Sequence, residues 1–162
     1  MQHLWAPWRI EYIKIAHEPG CIFCTKPQED KDAANLILYR GKHSFVIMNS
    51  FPYNSGHLMV VPYRHTANVE DLSEEERNEQ FALVSRCIPI LKEVMQPVGF
   101  NMGMNIGRIA GAGIDQHIHT HIVPRWAGDT NFMPVTGDIH VVNEGLRDTY
   151  ERLAVKFNQL PK

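Results

Sequence analysis

Gln116-His117-Ile118-His119-Thr120-His121-Ile122-Val123-Pro124-Arg125-Trp126 is the stretch on which the rest of the chain is organised. Side chains on a strand alternate between faces, so a strand here projects His117, His119 and His121 from one side and Ile118, Thr120 and Ile122 from the other. Imidazole titrates near pH ~6.5, so a row of three offers neutral nucleophile, donor and acceptor at neutral pH. A solvated strand face with incidental histidines, or a purely structural metal site, would use the same residues.

Working back from this strand, Gly107-Arg108-Ile109-Ala110-Gly111-Ala112-Gly113 reads as a flexible loop feeding it. Backbone N–H groups of such a loop beside imidazoles suit a phosphate ester or anhydride, whose oxygens need donors as charge builds up in transfer. Before the loop, Phe100 to Asn105 alternates like a strand. Ser73-Glu74-Glu75-Glu76 matches a capping box, and Phe81, Val84, Ile88, Leu91 and Met95 follow at helical spacing. Pro89 should kink this main helix and Pro97 should end it. Further upstream, Leu36–Tyr39 and Phe45–Met48 flank Arg40-Gly41-Lys42-His43 as a hairpin. Asn49 to Gly56 is turn-rich, and His57-Leu58-Met59-Val60-Val61-Pro62 gives a third apolar strand. Gly56 would permit positive φ there.

At the ends, Leu4-Trp5-Ala6-Pro7-Trp8-Arg9 needs a surface to pack on, and Pro19-Gly20 turns the chain into Cys21-Ile22-Phe23-Cys24. Lys26 to Asp32 reads as a charged loop. Trp126 to Pro134 carries too many aromatics for a disordered linker, and Ile139–Val142 reads as a short extended piece. A final helix presents Leu146, Tyr150, Leu153, Phe157 and Leu160 on one face. The order predicts an α+β fold with a mainly antiparallel sheet of about five strands, a long helix and a C-terminal helix. One domain is expected: an arm (1–20), a core (21–134), and a C-terminal strand and helix (135–162).

The chain of 162 residues is 44% apolar, enough for a core without disulfides. A net charge of −2 without a Lys/Arg block argues against a nucleic acid polymer or an anionic membrane as partner. No apolar run spans a bilayer and Met1 to Gly20 lacks a signal-peptide core, so a cytoplasmic protein is expected. Of three cysteines, Cys87 falls within the helical pattern as a small buried hydrophobe.

His117-Ile118-His119-Thr120-His121-Ile122-Val123 resembles the signature of the histidine triad family of nucleotidyl hydrolases and transferases. Gly56-His57 before an apolar strand, Asn49 on the preceding loop, and Gly111-Ala112-Gly113 before the triad match that family's other features. The tryptophan-bearing segments, Leu4 to Arg9 and Pro124 to Pro134, look like its bacterial diadenosine tetraphosphate phosphorylase branch. The resemblance implies a fold, a HIT-like sheet, and a set of roles. His119 would attack the α-phosphorus and form a nucleotidyl-histidine intermediate. His121 would donate to phosphate or leaving oxygen, with His57 and His117 as the supporting layer. Asn49 would meet a ribose hydroxyl, and Asn105, Gly111, Ala112 and Gly113 the phosphates. Two positions depart from the family pattern: Thr120 replaces an apolar residue, and Ala112-Gly113 stands where the eukaryotic fragile histidine triad branch has a glutamine.

The same resemblance implies structural zinc on Cys21, Cys24, His65 and His117, residue types that suit a tetrahedral Cys2His2 site but with gaps too long for a zinc finger. No organic cofactor is expected. The resemblance implies a dinucleoside polyphosphate as substrate and a homodimer as the assembly, and the tryptophan-bearing flanks favour inorganic phosphate over water as acceptor. The alternatives are a hydrolase of dinucleoside polyphosphates or nucleoside phosphoramidates, and a nucleotide-binding or zinc-organised module without turnover.

Overall fold

The computed structural model describes residues 20–129 and 144–161. Residues 1–19 of the N-terminal arm, the part of the Trp126 to Pro134 stretch beyond Asp129, and the Ile139–Val142 piece therefore lie outside the described residues. Within them the chain forms α1 (Ile22–Thr25), a 3-10 turn (Lys26–Gln28), α2 (Asp32–Asn35), β1 (Ile37–Arg40), β2 (Ser44–Met48), β3 (Leu58–Pro62), α3 (Glu74–Met95), β4 (Gly99–Gly103), β5 (Thr120–Arg125) and α4 (Leu146–Phe157). The five strands lie in one sheet, in the order β1-β2-β3-β5-β4, every neighbouring pair antiparallel. This is the expected α+β architecture.

The apolar runs of β2 and β3 are unbroken because both faces of the sheet are covered. Val46, Met48, Leu58, Val60 and Ile122 pack beneath α3 and α4 with Leu83, Val84, Cys87, Leu91, Leu153 and Phe157. On the opposite face Phe45, Ile47, Met59 and Val61 pack with Phe23, and this is the face that carries the histidines. Cys87 is fully buried, as its place in the helical pattern predicts.

Helix α3 begins at a complete capping box: Ser73 Oγ accepts from Glu76 N at 3.2 Å and Glu76 Oε2 accepts from Ser73 N at 2.7 Å. It runs through Pro89 and ends at Gln96, whose left-handed φ of 53° precedes Pro97. Its buried stripe differs from the expected one. Gln80, Leu83, Val84, Cys87, Ile90 and Leu91 face the sheet, while Phe81 is 70% exposed. At 100° per residue Phe81 falls about a quarter-turn off that stripe, and polar Gln80 occupies its centre instead. The reason is Thr120: its Oγ1 donates to Gln80 Oε1 at 3.2 Å across the helix–sheet interface. The final helix uses the expected face, with Leu153 and Phe157 in the core and Leu146, Tyr150 and Leu160 packed against it.

The Lys26–Asp32 segment is more ordered than a solvated loop. Arg40 reaches across it, donating from Nη2 to Asp32 Oδ1 at 2.6 Å and from Nη1 to Pro27 O at 2.7 Å. Among the described residues no helix is long and apolar enough to cross a membrane.

Candidate active site and metal centre

The ladder between β3 and β5 pairs Leu58 with Ile122, Met59 with His121 and Val60 with Thr120. Continued in the same register it would set Pro62, which has no N–H to offer, opposite Ile118; the ladder ends short of that pair, at Val60. His117, Ile118 and His119 thus lie just ahead of β5, still alternating between faces. Ile118 N donates to Thr66 O at 2.7 Å, and the carbonyl of Pro62 is taken by the His117 ring.

Hydrogen bonds to groups of fixed character assign each imidazole proton. Tyr53 N donates to His57 Nδ1 at 3.1 Å, and Asn49 Nδ2 approaches the same nitrogen at 3.3 Å. His57 therefore carries its proton on Nε2 and gives it to His121 Nδ1, 2.9 Å away. That leaves His121 with an Nε2–H. His119 donates Nδ1–H to the carbonyl of His117 at 2.9 Å, so its Nε2 holds the lone pair. The rings of His119 and His121 lie 4.7 Å apart, edge to face.

Burial keeps the rings neutral. His57 is fully enclosed and pushed down to about 3, first by desolvation and then by His121 and His119. Desolvation, then His119, pushes His121 down to about 4. His119 is also lowered by desolvation, against the opposing effect of its bond to the His117 carbonyl.

His119 and His121 line a cavity of about 920 Å³; His57 and His117 stand behind its wall. Ile22, Phe23, Met48 and Phe51 form an apolar flank, while Arg108, Gly111, Gly113 and Asp115 line another part. Asn49 lines it too, its Oδ1 accepting from Phe51 N at 2.9 Å. Asn105 and Ala112 do not: Asn105 Nδ2 braces Gly111 O at 3.4 Å, and Ala112 is buried. The expected cradle of amides is largely committed within its own loop. Ala110 N and Ala112 N donate to Gly107 O, and Gly111 N donates to Arg108 O.

Two aromatic residues beside the triad carry no sequence signal of their own. Phe23, inside the Cys-x-x-Cys segment, lies 5.0 Å from the His119 ring and 5.5 Å from His117. The Tyr53 ring lies tilted beside those of His57, at 4.6 Å, and His121, at 5.7 Å. Phe23 was legible only through its neighbours, since wherever the cysteines go it must follow. The Tyr53 loop is tied to the end of β5 by Asp129, which accepts from Asn54 Nδ2 at 2.7 Å and Arg125 Nε at 2.6 Å. The Arg125 guanidinium holds the Asp129 carboxyl well below the usual carboxylate range.

Behind the triad, Cys21, Cys24, His65 and His117 converge, their ligand atoms all within 4.8 Å of one another. His117 donates Nε2–H to Pro62 O at 2.8 Å, so its Nδ1 presents a lone pair to the cluster. Nδ1 lies 3.3 Å from Cys21 Sγ, 3.6 Å from Cys24 Sγ and 3.2 Å from His65 Nδ1, and His65 Nδ1 lies 3.3 Å from Cys24 Sγ. Ligands about 2.0–2.3 Å from a tetrahedral ion stand some 3.3–3.8 Å from each other, so these four separations suit such an ion, and the set as a whole, within 4.8 Å, would close on it by drawing inward. His65 is held there through its neighbour Arg64, which grips Glu76 of the capping box at 2.9 Å.

Residues 30–128 match the HIT domain family. The chain belongs to the histidine triad family. The AP-4-A phosphorylase of Mycobacterium tuberculosis is 39% identical over 170 residues, covering 99% of this chain and 87% of that protein. Among solved structures of histidine triad proteins, a Zn-bound member from Mycobacterium smegmatis superposes with a TM-score of 0.68 at 24% identity, covering 86% of this chain and 94% of that one. A hypothetical histidine triad nucleotide-binding protein from Sulfolobus tokodaii superposes with a TM-score of 0.66 at 26% identity, covering 86% and 90%.

Proposed function

We propose that this histidine triad protein is an enzyme that cleaves dinucleoside polyphosphates by nucleotidyl transfer through His119, with inorganic phosphate as the favoured acceptor. The observation that carries the reading is the pattern of imidazole protons: a lone pair on His119 Nε2 beside an N–H on His121 Nε2, both rings lining the cavity. His119 Nε2 bonds to the α-phosphorus as the bridging P–O bond breaks, and His121 Nε2–H donates to the departing oxygen. Phosphate then attacks the nucleotidyl-histidine, releasing a nucleoside diphosphate and restoring the lone pair. The apolar flank suits a nucleobase, and Asn49 and the Gly113 amide suit ribose and phosphate oxygens. Similarity to the AP-4-A phosphorylase over nearly the whole chain supports this substrate class.

Incubation with diadenosine tetraphosphate and phosphate should give ADP plus ATP; AMP plus ATP would mean water is the acceptor. His119→Ala should abolish turnover, by about 10³-fold or more, while nucleotide binding persists, and label from an α-32P-labelled substrate should be trapped on wild-type protein alone. Unchanged turnover in His119→Ala would sink the reading.

The Cys21, Cys24, His65 and His117 cluster is proposed to hold structural zinc. When bound, the ion would supply a rigid junction between α1, the loop after β3 and the start of the histidine strand. The proposed assembly is a homodimer through the open edge of the sheet, where Met102 of β4 is 52% exposed and neighbouring Val98 77%.

A further inference from the structure

A phosphate chain entering this cavity meets few donors on the backbone. The amides of Ala110, Gly111 and Ala112 close the turn onto Gly107 and Arg108, leaving Gly113 as the amide of the glycine-rich tripeptide outside those turn bonds among the described residues. The ring of His121, which lines the cavity beside His119, adds little charge, since burial keeps it neutral at physiological pH. A polyanion needs positive charge from elsewhere.

Arg108 is placed to provide it. It lines the cavity on the 3-10 turn Arg108–Ala110, bracketed by Gly107 and Gly111 with φ of 84° and 90°. Its side chain is 84% exposed and its Nε meets Asp115 Oδ2 at 3.3 Å. An exposed pair of this kind is weak and exchanges readily for a better partner, and the guanidinium fork matches two phosphate oxygens at once. Asp115 also lines the cavity, where an unpaired carboxylate would repel the same polyanion. It therefore serves as a resting partner that competes with substrate.

We infer that Arg108 reads the length of the phosphate chain, leaving Asp115 to grip a phosphate beyond the scissile bond. The inference rests on the nucleotidyl-transfer reading above and adds to it a residue that selects long anionic leaving groups over short or neutral ones.

The test is steady-state kinetics of the full chain on diadenosine tetraphosphate, diadenosine triphosphate and the p-nitrophenyl ester of AMP, whose leaving group carries no further phosphate. Arg108→Gln should raise KM for the tetraphosphate by about 10- to 100-fold, the value of a lost charge-assisted hydrogen bond, with a smaller rise for the triphosphate. KM for the nitrophenyl ester should stay within about twofold, and Arg108→Lys should recover part of the loss. Asp115→Asn should move the tetraphosphate KM the other way. Equal losses on all three substrates, or no loss on any, would overturn the role of Arg108 while leaving nucleotidyl transfer intact. Wild-type protein that turns over none of the three would overturn both.

Discussion

Three imidazoles of the site are told which nitrogen bears the proton by a backbone group that can only donate or only accept, and the fourth takes its tautomer from one of these three. Two backbone carbonyls, Pro62 and His117, and one backbone amide, Tyr53, set His117, His119 and His57, and His57 then sets His121. Such control requires neutral rings, and neutrality has a measurable consequence. In the unfolded chain these histidines take up protons near pH ~6.5, whereas in the folded chain His57 and His121 resist until about 3 and about 4. Below pH ~6.5 the unfolded state binds more protons than the native state, so stability falls with falling pH by roughly 1.4 kcal/mol per unit for each ring. The loss from each ring ceases once pH drops through its folded value. Urea unfolding between pH 7.5 and 5.0 should show this decline, and His57→Gln should flatten it. An identical slope in the variant would rule out His57 as a source.

Among the elements, the contact between α3 and β5 joins scaffold to chemistry, because β5 presents His121 on one face and Thr120 on the other. Thr120 is the departure from the family pattern noted in the sequence, and Gln80 compensates for it at the centre of a helix stripe that is otherwise apolar. Gln80 Nε2 has no hydrogen-bond partner among the described residues. Thr120→Val should therefore cost about 1–3 kcal/mol, leaving Gln80 Oε1 unpartnered as well, while the double variant Thr120→Val/Gln80→Leu should recover most or all of it. A double-mutant cycle by thermal or urea unfolding measures the coupling, and strictly additive losses would show that the pair does not interact. The same interface marks what was legible in sequence. The capping box, the histidine alternation and the C-terminal helix face were read correctly because each is a local pattern. Phe81 misled because hydrophobicity alone places it on the buried stripe, and only the partner across the interface explains why Gln80 takes that place. The short helices α1 and α2 were missed for a related reason: they are held by Arg40 and by the cysteine cluster rather than by any periodicity of their own.

For the molecule as a whole, the cluster of Cys21, Cys24, His65 and His117 gathers segments far apart in sequence at the back of the site, and Phe23 packs from that cluster onto His119. The family resemblance made these four residues legible, and their ligand types agreed with it; that their atoms would converge behind the triad depended on the whole sheet. With zinc bound there, loss of the ion should affect fold and chemistry together. Zinc-dependent domains draw about 10 kcal/mol or more from the metal, but here an extensive core on both faces of the sheet carries most of the stability. The expected outcome is a partial loss: about 3 kcal/mol, which for a chain of this size is a fall in Tm of about 6–12 °C. Turnover should fall with it, because a loosened α1 no longer presses Phe23 against the nucleophile. Metal analysis should find about one zinc per chain. Chelation, and separately Cys24→Ser, should lower both Tm and turnover, with added zinc restoring the chelated wild type alone. A fall in Tm at full turnover would confine the ion to the scaffold and remove Phe23 as the link to His119. Identical melting and turnover with and without metal would remove zinc from the account altogether.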